Sequence, residues 1–296
     1  MSLPVSLQPM IRADLHVHSI FSDGRHTPRE LCDLAQEAGL THMALCDHDT
    51  LSGHAPMQEA VNAVNERIAR SGGHPLTLLP GVELSTGDTG TTHILGYGVE
   101  AGHTRLEEVL AECEKRRLER FQATLDRLKE LGIQIPSQLI PENLEGPLGR
   151  AHVARILVKM GVVRSVGEAF GRYLAEGRPA CVPYRHMTTL EAIDLLCRVG
   201  TVPVLAHPCR MNLSQPALFA LVESFQEGGL QGLEVYHPSA PGDLIPILDA
   251  FARRRGLLVT GGSDFHGDRK TDELGRLPGD WQTQPQDVSA LTARIT

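Results

Sequence analysis

The sequence predicts an α/β protein, either a βα barrel or a related wound sheet. Seven strand-like apolar runs are separated for the most part by segments with helical periodicity, which is typical of strands joined by helical crossovers. Histidines and carboxylates also lie near the ends of these runs, where barrel enzymes place their functional residues. The 296 residues suffice for one large domain with a buried core. The predicted strands are 12–18, 42–47, 76–84, 92–99, 202–208, 232–238 and 257–267.

The first predicted helix has a clear start and end. Thr27 is a favourable N-cap, Pro28 suits the first helical position, and Glu30 completes a capping box. Gly39 then predicts where this helix ends. The other helices predicted between strands are 57–70, 214–227 and 241–255.

The third and fourth strands are joined in a different way. Only STGDTGT, residues 85–91, separates them, whereas a parallel pair needs a crossover of about a dozen residues or more. The sequence therefore predicts an antiparallel hairpin for this pair. In a hairpin, the start of the fourth strand lies beside the end of the third.

The alternation of strands and helices is interrupted between residues 101 and 200. Residues 104–132 predict one long polar helix or two helices in series. Two shorter helices are predicted in GRAHVARILVKMG and SVGEAFGRYLAEG. We interpret residues 101–200 as a helical insertion that caps the substrate site. The barrel is then discontinuous and consists of residues 12–100 and 201–280.

The charge and the arginine content of the chain limit the molecules that it is expected to bind. The net charge of −8 argues against binding along a nucleic-acid backbone, although metal ions could reverse the local charge and admit a small acidic substrate. The 28 basic residues comprise 24 arginines and four lysines, and guanidinium groups bind phosphate or carboxylate well.

Several features favour the cytoplasm. No apolar run reaches the roughly 20 residues needed to span a bilayer, and the first ten residues lack the regions of a signal peptide. The six cysteines form no CxxC pair, which favours reduced thiols over a disulfide framework. We therefore expect a cytoplasmic protein without a membrane or protein partner.

Polar side chains gather at the ends of the predicted strands. His16 and His18 lie two residues apart on the first strand, so both face the same way. Glu83 ends the third strand and His93 begins the fourth, and the predicted hairpin brings them to the same rim. The remaining candidates at strand ends are Asp23, His48, His207, His237, Asp264 and His266.

These side chains predict a metal centre. Imidazole and carboxylate ligands without thiolates suit Zn²⁺, Mn²⁺ or Fe²⁺, and the nine candidates other than His237 exceed what one ion can use. We expect two or three ions, which would generate a hydroxide for in-line displacement at phosphorus. His207 or His237 could assist proton transfer to the leaving oxygen. Asp47 and Asp49 are interpreted either as residues that orient ligands or as turn caps.

The motifs that carry these residues resemble those of the PHP (polymerase and histidinol phosphatase) superfamily of metallo-phosphoesterases. They are DLHVHSIFSDG, CDHDT, GVELS, HILGYG, AHP and SDFH, and the resemblance extends from residue 12 to residue 268. The DHD and GRAH motifs and the insertion most resemble the 3′,5′-nucleotide bisphosphate phosphatases, also described as RNase AM-type enzymes. The resemblance implies a distorted, TIM-like (β/α)7 barrel.

The resemblance also implies three metal ions, usually Mn²⁺, and a reaction. The implied ligands are His16, His18, Glu83 and Asp264 for the first ion, Glu83, His93 and His207 for the second, and Asp23, His48 and His266 for the third. The implied reaction releases phosphate from 3′-phosphoadenosine 5′-phosphate and leaves AMP. Short 5′-phosphorylated oligonucleotides are a further implied substrate. The candidate catalytic residues are Asp23, His207 and His237.

Other residues are candidates for substrate binding. Arg150 and His152 lie at a predicted helix start, where backbone N–H groups favour anions. Arg178 follows a glycine in EGRPA. Surface or capping roles are equally compatible with these three residues. Ser85 and His237, which lie in or beside the metal motifs, are further candidates for substrate contact.

Three arginines of the long polar helix share one face. They are Arg116, Arg117 and Arg120, and glutamates at positions 112, 114 and 119 surround them. This charge pattern predicts a solvated, salt-bridged helix face.

Three other functions remain open at this stage. Amidohydrolases also use an HxH motif on a barrel, but many of their dinuclear members bridge the metals with a carboxylated lysine at a strand end. The four lysines here lie in predicted helices or a late loop, at positions 115, 129, 159 and 270. The second alternative is another PHP activity, such as hydrolysis of histidinol phosphate. The third is a barrel that keeps metals for structure or regulation.

Overall fold

A computed structural model of the chain describes residues 11–87, 92–100, 102–140, 148–183, 187–268, 273–277 and 281–295. In it, seven strands form one sheet in chain order, and the sheet curls into a nearly closed barrel. The strands are β1 (Ala13–Val17), β2 (His42–Leu45), β3 (Thr77–Ser85), β4 (His93–Tyr97), β5 (Val202–Leu205), β6 (Gly232–Tyr236) and β7 (Leu258–Gly261). Each strand overlaps one predicted run, and the predicted α/β barrel is confirmed.

The predicted hairpin is also confirmed. β3 and β4 are antiparallel, and Ser85 at the end of β3 pairs with His93 at the start of β4. β4 is antiparallel to β5 as well, whereas the other neighbouring strands are parallel. Because β4 alone among these seven strands is reversed, its first residue lies at the rim where the other strands end.

The barrel closes between β1 and the segment that follows β7. The His18 N–H donates to the Phe265 carbonyl at 3.1 Å. The buried carboxylate of Asp14 accepts hydrogen bonds from the N–H groups of Ser263 and Gly275 at 2.9 and 2.8 Å. These bonds hold the segment after β7 against β1.

Nine α-helices are present in the described residues. They are α1 (Pro28–Glu37), α2 (His54–Ser71), α3 (Thr104–Glu130), α4 (Arg150–Lys159), α5 (Val166–Ala169), α6 (Thr189–Arg198), α7 (Gln215–Glu227), α8 (Ile245–Arg254) and α9 (Pro285–Ile295). α1 begins as predicted, because Thr27 and Glu30 each accept a hydrogen bond from the other's backbone N–H. α6 and α9 have no counterpart among the predicted helices.

Residues 104–132 form one long helix rather than two. The first half of α3 packs on the barrel through Leu106, whereas its second half shares a separate core with α4 through Phe121 and Leu128. α6 lies within the predicted insertion but buries Leu196 in the core that it shares with the barrel. Only the part of the insertion formed by the second half of α3, α4 and α5 therefore has a core separate from the barrel. The boundaries at residues 101 and 200 stay predictions.

Apolar residues on the strands pack in two directions. Met43 and Leu45 of β2 pack against α1 and α2, whereas Ala44 between them packs with Leu15 and Tyr97 of other strands. Both faces of the sheet are thus occupied by apolar groups, and the polar candidates lie near the strand ends.

Two expectations about composition can be compared with the structure. No helix among the described residues is both long enough and apolar enough to cross a membrane. All six cysteines are free thiols, as the lack of CxxC pairs predicts.

Candidate metal centre

The carboxylate of Glu83 lies at the centre of the site. It is fully buried near the end of β3, and five imidazole nitrogens surround it at 2.8–3.2 Å. The neighbours are His16 Nε2, His18 Nε2 and His48 Nδ1 around Oε2, and His93 Nδ1 and His207 Nε2 around Oε1. Ligand candidates from four strand ends therefore converge on one carboxylate.

Asp264, in the loop after β7, provides a second buried carboxylate. Its Oδ1 lies 3.2 Å from His18 Nε2 and 3.6 Å from His16 Nε2. Together with Glu83, these three residues offer four ligand atoms that all lie within 4.8 Å of one another. This group coincides with the four ligands predicted for the first ion.

Asp23, in the loop after β1, is the carboxylate of a second group. Its Oδ1 lies 3.1 Å from His266 Nε2, and its Oδ2 lies 3.9 Å from His48 Nε2. His18 joins them through Nδ1, 3.9 Å from Asp23 Oδ1. The group contains the three ligands predicted for the third ion and adds His18.

A third group of ligand atoms comes from His48, Glu83 and His93. The ligands predicted for the second ion are Glu83, His93 and His207. His207 Nε2 lies 2.9 Å from Glu83 Oε1, the oxygen that His93 also contacts. The structure thus brings all nine predicted ligands into one cluster, and His48 belongs to two of its three groups.

The unpartnered polar atoms of this cluster fit bound cations. Among the described residues, His16 Nε2, His18 Nε2, His48 Nδ1 and Glu83 Oε2 are buried without a hydrogen-bond partner. Buried polar atoms almost always have such partners. A divalent cation is a partner that imidazole nitrogens and carboxylate oxygens can share. The donor set therefore fits metal ions.

Protonation differs across the cluster. Burial raises the pKa of Glu83, but the charges of His48 and His93 outweigh it and hold this pKa well below its usual range. Burial lowers the pKa of His207 to about 4, so this imidazole is neutral at pH 7 and suited to a metal. Burial also lowers the pKa of His16, but Glu234 and Glu83 raise it well above 6.5. A metal would therefore displace a proton from His16.

Glu234 of β6 is a functional candidate that the sequence pattern did not single out. Its carboxylate is fully buried, and Oε1 lies 3.0 Å from His16 Nδ1. Oε2 accepts a hydrogen bond from the backbone N–H of His207 at 2.6 Å. Carboxylates in this position orient the imidazole ligands of metals. The sequence signal that could have identified Glu234 is the presence of this charged residue inside the otherwise apolar run GLEVYHP.

Left-handed backbone conformations concentrate at the site. Asp49, His207 and Asp264 have φ of 52°, 28° and 52°, and Asn212 is the other non-glycine residue with positive φ among the described residues. Such conformations cost free energy and persist only where the surroundings impose them. At Asp49, the carboxylate accepts a hydrogen bond from the Ser85 N–H at 2.8 Å, which joins the ends of β2 and β3.

Asp47 anchors the loop after β1. Its carboxylate accepts hydrogen bonds from the N–H and hydroxyl of Ser19 at 2.8 and 2.6 Å, and from the Ser22 hydroxyl at 2.5 Å. This loop carries Asp23. Asp47 therefore helps to place a candidate ligand without contacting it.

His237 lies against Asp264 at the edge of the cluster. Its Nε2 is 3.5 Å from Asp264 Oδ2, and its Nδ1 accepts a hydrogen bond from the Ser239 N–H at 2.9 Å. This hydrogen bond assigns the proton of the neutral ring to Nε2. His237 thus presents an N–H group toward the cluster.

The cluster lines a cavity of about 550 Å³. Guanidinium groups line it as well: Arg117, Arg120 and Arg150 from the insertion, and Arg210 and Arg276 from the loops after β5 and β7. Arg210 Nη1 also lies 2.7 Å from Asp264 Oδ2. A cavity with metal ligands and several arginines suits a substrate that carries more than one anionic group.

Arg117 and Arg120 depart from the predicted solvated face. Arg116 is exposed and pairs with glutamates of its own helix, as predicted. Arg117 instead donates to Asp49 Oδ2 and Ser85 Oγ, both at 2.6 Å, and Arg120 lines the cavity. The prediction was wrong for these two residues because this part of α3 passes over the barrel rim, which local charge spacing does not show.

The structure brings some of the predicted substrate residues to the cavity. Arg150 and Ser85 line it, and the Arg150 guanidinium lies 5.6 Å from the centre of the Phe170 ring. His152 is buried nearby, and its Nδ1 accepts a hydrogen bond from the backbone N–H at the start of α4. Arg178 lies in an exposed turn outside the cavity lining.

Comparison with known proteins identifies the family. The PHP domain model matches residues 14–134. The 5′-3′ exoribonuclease Rnm of Escherichia coli is 38% identical to this chain over 291 residues, which cover 93% of this chain and 95% of the relative. The chain belongs to the PHP family. Another relative is the 3′,5′-nucleoside bisphosphate phosphatase of Chromobacterium violaceum, 34% identical over 87% of this chain and 88% of the relative.

Solved structures share the same overall architecture. A Bifidobacterium adolescentis protein described as a metal-dependent phosphoesterase superposes with a TM-score of 0.81 at 30% identity, over 97% of each chain. A Chromobacterium violaceum protein described as an amidohydrolase, with bound sulfate and no metal, superposes with a TM-score of 0.82 at 30% identity, over 96% of each chain. The fold predicted from the PHP resemblance is therefore confirmed.

Proposed function

We propose that this PHP metal-dependent phosphoesterase removes the 3′-phosphate from 3′,5′-bisphosphonucleotides, for example converting 3′-phosphoadenosine 5′-phosphate to AMP and phosphate. The cavity carries the proposal, because it is lined both by the candidate metal ligands and by arginines of the insertion. The cluster would receive the phosphate that is hydrolysed. Arg150 and the other arginines of the insertion that line the cavity would bind the other phosphate. The bisphosphate phosphatase relative supports this assignment.

We assign three ions to this cluster of ligands, Mn²⁺ in the first instance and Zn²⁺ or Fe²⁺ as alternatives. The first ion would be held by His16, His18, Glu83 and Asp264, the second by Glu83, His93 and His207, and the third by Asp23, His48 and His266. Bound ions of this kind lower the pKa of water and neutralise phosphoryl oxygens.

Residues of the chain would carry out the other steps. The Nε2–H of His237 would donate a hydrogen bond to the leaving ribose oxygen and stabilise its developing negative charge, since its Nδ1 accepts from the Ser239 N–H. Glu234 would hold His16 and His207 in position. Arg150, at the N-terminus of α4, would orient the second phosphate together with the adjacent backbone N–H groups.

Short 5′-phosphorylated oligonucleotides are the second proposed substrate class. Hydrolysis of the P–O3′ bond releases phosphate from the bisphosphonucleotide, and hydrolysis of the same bond in an oligonucleotide releases a 5′-mononucleotide. In both cases the water oxygen bonds to phosphorus and a proton goes to the ribose O3′. The relatives described as an exoribonuclease and as a bisphosphate phosphatase thus fit one bond-breaking step.

The amidohydrolase alternative is less well supported. No lysine among the described residues belongs to the cluster: Lys115 and Lys129 lie on α3, and Lys159 is exposed on α4. Lys270 lies outside the described residues. A metal bridge formed by a carboxylated lysine is therefore not supported. Because one similar solved structure is described as an amidohydrolase, the test below also includes amide substrates.

The test is phosphate release by Mn²⁺-loaded protein from 3′-phosphoadenosine 5′-phosphate, AMP and histidinol phosphate, measured side by side. We expect rapid release from the first compound only, and 5′-mononucleotides from a 5′-phosphorylated RNA trimer. Glu83→Gln serves as the inactive control for contaminating phosphatases. Equal rates on all three compounds, or cleavage of an amide panel without phosphate release, would overturn the proposal.

A further inference from the structure

Arg155 of α4 connects the insertion to two loops of the barrel. Its Nε and Nη2 lie 2.7 and 2.9 Å from the two carboxylate oxygens of Asp268, two residues after His266. Nη2 also donates to the backbone carbonyl of Asp23. One guanidinium thus joins the loop after β1 to the loop after β7.

The two joined loops carry two ligands of one candidate cation group. Asp23 Oδ1 and His266 Nε2 lie 3.1 Å apart in the group assigned to the third ion. On the barrel side, Asp47 holds the first loop, and the Arg25 N–H donates to the His266 carbonyl at 3.0 Å. Arg155 holds the same loops from the insertion side.

We propose that Arg155 is a positioning residue for the third metal ion, so that a helix of the insertion sets the affinity of a site whose ligands all belong to the barrel. This inference rests on the three-ion assignment made for the proposed function. Metal ligands held by a defined network bind more tightly, and loss of such a partner typically weakens binding by about 10–100-fold.

The positive charge of Arg155, taken alone, predicts the opposite change in metal affinity when the residue is removed. A guanidinium near a cation site repels the cation, so removal of Arg155 would strengthen metal binding if charge were its only contribution. Positioning instead predicts weaker binding after removal. Arg155→Lys separates the two effects, because lysine keeps the charge but cannot donate in the planar fork that Asp268 accepts.

The experiment is a titration of chelator-stripped protein with Mn²⁺, in which free Mn²⁺ is followed by electron paramagnetic resonance. Asp23→Asn identifies the ion that belongs to this group. Arg164→Ala is the matched control, because Arg164 is an exposed arginine of the insertion that pairs only with Glu168 in the described contacts. Circular dichroism and the thermal midpoint report the fold of each variant.

We expect three ions on the wild type and on Arg164→Ala. Arg155→Ala and Arg155→Lys should keep two ions and bind the one lost in Asp23→Asn at least tenfold more weakly. Wild-type or tighter affinity for that ion in both Arg155 variants would overturn the inference. If Arg155→Ala does not fold, Arg155→Lys decides the question by the same criterion.

The same data separate this inference from the function on which it rests. If the wild type and Asp23→Asn bind equal numbers of ions, the three-ion assignment fails and the inference fails with it. If they differ by one ion while the Arg155 variants match the wild type, the inference alone fails.

Discussion

His16 Nδ1 lies 3.0 Å from Glu234 Oε1, although the two residues are 218 positions apart in the chain. The other carboxylate oxygen of Glu234 accepts a hydrogen bond from the His207 N–H. We expect Glu234→Gln to weaken metal binding by about 10–100-fold, because the amide keeps the volume of the side chain but cannot accept with both atoms. Mn²⁺ titration of the chelator-stripped variant measures the effect.

Glu223→Gln is the control for this prediction, since Glu223 is a half-buried glutamate that lies away from the cluster and pairs with Arg255. It should bind Mn²⁺ like the wild type. Equal Mn²⁺ affinity in Glu234→Gln and Glu223→Gln would show that Glu234 does not orient metal ligands.

Arg150 is expected to act on substrate affinity. Arg150→Ala should raise KM for 3′-phosphoadenosine 5′-phosphate by about 10–100-fold while metal content stays unchanged, because a charge-assisted hydrogen bond contributes roughly 1.5–3 kcal/mol. Steady-state kinetics and elemental analysis provide the two measurements. Arg178→Ala, in the exposed turn outside the cavity, should behave like the wild type. Wild-type kinetics in Arg150→Ala would remove Arg150 from the substrate site.

We expect any side chain larger than hydrogen at position 262 to destabilise the folded protein. A Cβ at this position would lie 2.2 Å from His16 Cβ and 2.5 Å from His16 N, so β1 and the segment after β7 would have to separate. We expect Gly262→Ala to lower the free energy of unfolding by roughly 1–3 kcal/mol and to reduce metal content. Denaturant unfolding measures the first effect. Gly171→Ala, where no atom lies within 4 Å of the added carbon, is the control. Similar stability in both variants would contradict this account.

His152 should make stability depend on pH. Burial lowers its pKa to about 4, so the folded protein keeps it neutral while the unfolded chain takes up a proton below about pH 6.5. Its contribution to stability is therefore present above pH 6.5 and lost as the pH falls toward 4. His152→Gln can still accept the hydrogen bond from the Gly149 N–H but does not titrate.

We expect the wild type to lose roughly 2 kcal/mol more stability than His152→Gln between pH 7.5 and 4.5. Urea unfolding of chelator-stripped protein at both pH values checks this difference. Parallel loss of stability in the two proteins would mean that His152 titrates normally in the folded state.

The metal cluster could be predicted because several of its residues lie where short sequence patterns determine which way a side chain points or how two strands pair. The spacing of His16 and His18 places both on one strand face, and the short connection between β3 and β4 predicts the hairpin that pairs Ser85 with His93. α6 and α9 were missed although both contain buried apolar residues. α6 lies inside the segment that was interpreted as the insertion, and α9 follows the last predicted strand, so neither was needed as a crossover between two predicted strands.

The arginines show where local patterns stop being informative. Arg116 and Arg117 are neighbours on one helix, yet the first pairs with glutamates of α3 and the second reaches Asp49 on the barrel. Charge spacing describes contacts within a helix. The path of that helix over the rim depends on how the insertion packs.

The sequence by itself determined the barrel, its reversed strand and the nine candidate ligands, because strand periodicity and connection length act over a few residues. Only the tertiary structure decided that Glu83 lies among five histidines, that Glu234 supports two of them, and that Arg155 joins two loops. These contacts depend on strand register and loop conformation across hundreds of positions, which no local pattern specifies.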